Sequence, residues 1–148
     1  MMNRHEFELL RDLPGKEITS DIVFISDKYA SPNLIFEPVI VQNPLEWEVL
    51  LNGTYKPEIP SVTFNFVVKG VGPICRLCVN SRIHKNSGRT HKHDLQDDND
   101  PRKNLPYSIP RPDLNLKEYS VRKIWEILCQ QANIRHSGHF IDPAGDRL

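Results

Sequence analysis

The cleanest alternation of apolar and polar positions in the chain lies at residues 61–69. Val62, Phe64, Phe66 and Val68 share one side at period two, and Thr63, Asn65, Val67 and Lys69 the other. This predicts a strand with one buried face. Gly70-Val71-Gly72-Pro73 turns it into a second strand at 74–79, giving a hairpin. Upstream, residues 18–26, 33–41 and 45–51 read as three further strands. Pro38 marks the second as an edge strand, and Asn52-Gly53 reads as a hairpin turn closing the third, with a short continuation at Thr54-Tyr55. Val121, Ile124, Trp125, Leu128 and Ala132 recur at helical spacing and predict a helix over 119–134 with Ser120 as its cap. Phe7, Leu9, Leu10 and Leu13 stand among charges, which predicts a short amphipathic helix over 3–12, capped by Asn3 and ended by Pro14-Gly15.

Helices at both ends with strands between them predict one α+β domain over residues 1–148. Its core is an antiparallel sheet of about five or six strands, packed by a short N-terminal helix and a C-terminal helix. Residues 80–113 are poor in apolar side chains and contain Pro101, Pro106, Pro110 and Pro112. They read as a long polar loop, interrupted by a short strand near 90–95. Loops of this length in a compact domain are often functional. The tail, 135–148, reads as turns.

Composition narrows the class. At 148 residues, with 39% hydrophobic and 26% charged, the chain can bury a core and is not a disordered polymer. Lys plus Arg and Asp plus Glu are 19 each, which excludes a uniformly basic nucleic-acid coat. No apolar run approaches the roughly 18 residues of a membrane-spanning helix. The first residues lack the apolar centre of a signal peptide. Cys75, Cys78 and Cys129, an odd set without a secretion signal, read as reduced thiols, so the expected location is cytoplasmic and no membrane partner is expected.

Charge is balanced overall but not locally. Between Glu58 and Asp94 there is no acidic residue, whereas Lys69, Arg76, Arg82, Lys85, Arg89 and Lys92 all fall there. Directly afterwards, residues 94–100 hold Asp94, Asp97, Asp98 and Asp100. Two readings stay open: solvated, internally paired loops, or an anion site. For the second, phosphate is the expected anion, with Arg76, Arg82, Lys85, Arg89 and Lys92 as its ligands. The same segment carries His84, His91 and His93. On a strand His91 and His93 project from one face and Lys92 from the other, and a turn at Asn86-Ser87-Gly88 would return His84 to them.

Imidazoles flanked by cations can cleave RNA without a metal. One takes the 2′-hydroxyl proton, one protonates the leaving oxygen, and Lys or Arg stabilises the charged phosphorane. His93 as base and His84 as acid, with the labels exchangeable, and Arg76, Arg82 or Lys85 at the phosphate make the expected site; His91 belongs to the same set. Zinc is the alternative cofactor, on Cys75, Cys78, His91 and His93. A separation of three residues puts Cys75 and Cys78 on opposite faces of a strand, which weakens that set. A harder metal on His91 or His93 with Asp97-Asp98 is a further version. A loop hydrogen-bonding network without chemistry is the plain alternative for all three histidines. His136 and His139 flank Gly138 near the C-terminus, and nothing in the sequence attaches them to this site.

Arg76-Leu77-x-Val79, His84-x-Asn86, Gly88 and His91-x-His93 together resemble a pattern in small bacterial proteins without an assigned activity, some encoded beside toxin–antitoxin or phage-defence genes. The resemblance is best over 70–95 and fainter in the C-terminal helix. It implies an acidic residue at the position of Cys78 in relatives, which counts against a family-wide zinc site there. It also implies a ribonuclease or defence component. The sequence-based expectation is therefore a small metal-independent endoribonuclease, toxin-like, acting on RNA or another phosphate-bearing ligand. The alternatives are a non-catalytic inhibitor or binding module of phage or mobile-element type, whose partner is a protein such as an antitoxin or nuclease, and, third, a zinc-binding protein.

Overall fold

Asn3 sets the first element, α1 (Arg4–Asp12). Its side chain accepts from the Glu6 N–H, and the Glu6 carboxylate accepts from the Asn3 N–H, a capping box that uses two of the donors a helix start leaves over. The carboxylate of Asp97 accepts a further one, from Arg4 N at 2.7 Å. At the other end the buried Lys16 ammonium donates to the Arg11 and Leu13 carbonyls at 2.8 and 2.5 Å, closing off the helix C-terminus. Phe7 and Leu10 face inward. The structure, a computed structural model, describes residues 1–80 and 88–145.

The strand expected at 18–26 is three short ones, β1 (Lys16–Ile18), β2 (Ile22–Val23) and β3 (Ile25–Ser26), each in a different sheet. They are followed by β4 (Leu34–Val41), β5 (Val49–Lys56), β6 (Ser61–Val68), β7 (Gly72–Val79), β8 (His91–Asp94) and β9 (Ser108–Pro110). Strands β3 to β9 form one antiparallel sheet in sequence order, seven strands where about five or six were expected from element order. The strand at β6 and its hairpin to β7 stand as the alternation predicts. Pro38 sits in a register shift between Phe36 and Val39, a bulge, and β3 pairs with β4 only at Leu34 and Ile35, so Pro38 lies beyond that pairing, where an edge proline is tolerated.

Asn52-Gly53 is a correction. It is no turn: β5 runs straight through it. Gly53 lies in register with Phe36 on one side and Phe64 on the other. A Cβ there would strike the Phe36 ring and come within 2.9 Å of the Thr63 carbonyl oxygen. Glycine is used here because an aromatic side chain lies over the backbone, a close approach only glycine permits.

One face of the sheet is covered. Val62, Phe64, Phe66 and Val68 meet Phe36, Val41, Val49, Leu51 and Leu77 from neighbouring strands, all buried. Over them lie α1 and α2 (Val121–Gln131), capped by Ser120 as expected, which buries Val121, Ile124, Trp125, Leu128 and Cys129. The Trp125 ring stacks on Phe140 at 5.7 Å and meets Phe64 at 5.3 Å. Phe140 belongs to the tail, which is not merely turns. It forms β10 (Ile134–His136) and β11 (Phe140–Ile141), paired in parallel with β1 and β2. Between them a Cβ on Gly138 would drive into the Ser20 backbone carbonyl.

Two expectations follow for stability. Gly138→Ala should cost about 2 kcal/mol or more, because backbone and not a movable side chain is in the way, and urea denaturation reads this directly. Burial lowers the Lys16 pKa from 10.5 to about 8, with nearby Asp12 pulling the other way. The unfolded chain therefore binds more protons between those two values, and stability should rise with pH across that window. Lys16→Met should lack that slope in otherwise identical denaturation curves.

Candidate metal centre

The register of β7 with β8 builds the site. Cys78 lies opposite His91, and Arg76 opposite His93. Side chains paired across an antiparallel ladder share a face, so these four project together from the face of the sheet away from the helices. One ligand atom from each of Cys78, His91 and His93 lies within 4.8 Å of the others. All three residues are buried, His91 completely and His93 at 2% exposure. The two imidazoles meet edge to face with centroids 4.8 Å apart.

The partners of the rings decide which nitrogen carries the proton. His93 Nδ1 donates to the Leu105 carbonyl at 2.7 Å, and His91 Nδ1 donates to the Gly88 carbonyl at 3.2 Å. A carbonyl only accepts, so each Nδ1 bears a hydrogen, and the tautomer this selects is the one whose Nε2 carries the lone pair a metal ion takes. This is the outer hydrogen bond that orients ligating histidines in metal sites. Leu105 is itself fixed: its side chain is fully buried, and its N–H donates to Asn104 Oδ1, which also accepts from Arg76 at 3.3 Å. The entry to β8 is fastened by Asn80, whose N–H donates to Thr90 Oγ1 and whose side chain donates to the Pro60 carbonyl. Zinc bonds of about 2.0–2.3 Å to nitrogen and sulfur require the three donors to close by roughly 1 Å, within reach of small side-chain rotations.

Cys75 does not join them. It lies in register with Asp94 on the helix-covered face, as the three-residue spacing implied, and burial with Asp94 alongside pushes its thiol well up. The four-residue zinc set of the sequence therefore reduces to Cys78, His91 and His93. Lys92 is also on the inner face. Its ammonium lies 3.5 Å from the Asp94 carboxylate, whose other oxygen is 3.9 Å from Arg4, so Lys92 is not a ligand of any group bound beside Arg76. His136 and His139 are elsewhere: His136 accepts from the Trp125 indole and donates to the Ser20 carbonyl, and His139 binds Asp21. His84, Arg82 and Lys85 lie outside the described residues.

Cys78 and His93 form part of the wall of an open cleft whose other charged residues are Lys56, Arg76, Arg89 and Glu58. The aspartate run does not face this cleft. Asp94 pairs with Lys92 and Arg4, Asp97 caps α1, Asp98 accepts from the Tyr107 hydroxyl, and Asp100 pairs with Arg102. Internal pairing was one of the two readings the sequence left open; Lys92 and Arg102 lie within two residues of their aspartates, whereas Arg4 and Tyr107 come from farther along the chain. Sequence reasoning missed the Leu105 and Gly88 carbonyls, which no side-chain pattern reveals. A scan against protein-family models finds no match, and neither do searches of curated proteins and of solved structures.

Proposed function

We propose that this chain is a zinc protein, with the ion held by the Cys78 thiolate and by Nε2 of His91 and His93. The observation that carries the reading is the meeting, within 4.8 Å, of one thiol and two buried imidazoles whose outer nitrogens are tied to carbonyls. A mixed sulfur and nitrogen donor set suits zinc above magnesium, calcium or manganese, which prefer oxygen. Three protein ligands leave a fourth position for water or substrate, and at that position zinc supplies a Lewis acid.

This reading is better supported than metal-independent cleavage of RNA by the same histidines. A general acid or base must come within hydrogen-bond reach of the substrate atom it serves. His91 is fully buried with Nδ1 engaged. An interface role for the acidic run is weakened as well, because its four aspartates already have partners inside the chain.

Purified protein should carry an equimolar amount of zinc by elemental analysis. Cys78→Ser and His93→Ala should lose it, and Cys75→Ala should keep it. Cobalt-loaded protein should show a thiolate-to-cobalt charge-transfer band that Cys78→Ser lacks. Zinc should also stabilise the fold, by about 2.7 kcal/mol at a free concentration near 100 Kd. Wild-type protein that binds neither zinc nor cobalt would overturn the proposal.

A further inference from the structure

We infer that the cleft beside Cys78 and His93 is a binding site for a phosphoryl anion, with Arg76 as its principal ligand. The inference deepens the zinc reading and rests on it for the ion's share of the charge. Three cationic side chains, Lys56, Arg76 and Arg89, line the cleft against one carboxylate, Glu58, a local charge of +2 in a chain whose net charge is zero. A zinc ion on one thiolate and two neutral imidazoles keeps a charge of about +1. The field at this end of the sheet therefore favours a dianion over a monoanion.

Arg76 is the residue placed to read it. Register puts it directly opposite His93, so the guanidinium and the metal-facing imidazole leave the same row of the sheet. Its side chain is half-buried, and one terminal nitrogen is steered by Asn104 Oδ1 at 3.3 Å. Among the described residues it has no carboxylate partner, unlike Arg4, Arg11, Arg102, Arg111 and Arg135, each of which lies against an acid. A guanidinium fork matches two phosphoryl oxygens. Asn33, Ser61 and Asn80, also in the wall, add neutral polar groups. Lys69 and Lys92, which the sequence places in the same acid-free segment, are spent elsewhere, on Glu48 and Asp94.

The test is titration calorimetry on zinc-loaded protein with inorganic phosphate, a nucleoside 5′-monophosphate, a short single-stranded RNA and, as the monoanion control, acetate. Phosphate or one of its two esters should bind and acetate should not, and the order among the three tells a free anion from a nucleotide or a polymer. Arg76→Gln should weaken the phosphoryl ligand by roughly tenfold or more while zinc content and melting temperature stay as in wild type; Lys69→Gln should change neither. Zinc-replete protein that ignores all three phosphoryl ligands, that binds them equally well as Arg76→Gln, or that binds acetate as tightly, overturns the inference and leaves the metal reading intact. Arg76-dependent phosphoryl binding by protein that takes up no zinc would uphold the cleft and overturn the metal.

Discussion

A β-strand sends successive side chains to opposite faces, and among the described residues helices cover one face of the sheet and not the other. Most of the structure depends on that asymmetry. The covered face has to be apolar, and β6 supplies it at every second position. The other face is released from that demand and can carry polar side chains in rows across several strands. One row runs Thr54, Thr63, Cys78, His91, and the next Asn52, Asn65, Arg76, His93.

β7 shows both demands within a few residues. Cys75 and Leu77 look into the core, while Arg76 and Cys78 look out beside the histidines. The chemical difference between the two cysteines follows from this. Cys75 sits over apolar side chains and a carboxylate that keep it a thiol, whereas Cys78 sits among nitrogen donors. The site needs no special loop to assemble it, since two adjacent strands in one register do so. Loops enter only as sources of carbonyls, from Gly88 and Leu105, that hold the imidazoles in one tautomer.

What was legible in the sequence was whatever rests on local periodicity. The strand at β6, its hairpin to β7, both helices with their Asn3 and Ser120 caps, and the shared face of His91 and His93 follow from spacings of two, three or four residues. What failed depends on neighbours distant in sequence. Asn52-Gly53 imitates a turn because the Phe36 ring that requires the glycine is contributed by another strand. The aspartate run imitates an interface because the N–H that Asp97 accepts from, and one of the two cations beside Asp94, come from α1. The three-residue spacing already puts Cys75 and Cys78 on opposite faces, but only the pairing of β7 with β8 says which of them joins the histidines.

The two parallel ribbons at the ends of the chain bear on how the protein is made. Asp21 and His139, 118 residues apart, are held together by a hydrogen bond between the two segments. At ordinary synthesis speeds the first of these leaves the ribosome on the order of ten seconds before the second exists. During that interval Ile18 and Ile22, fully buried in the finished molecule, lack the strands that pair with theirs. The sheet from β4 to β7 has only near neighbours to find, whereas the ribbons cannot close until the C-terminal segment has been made.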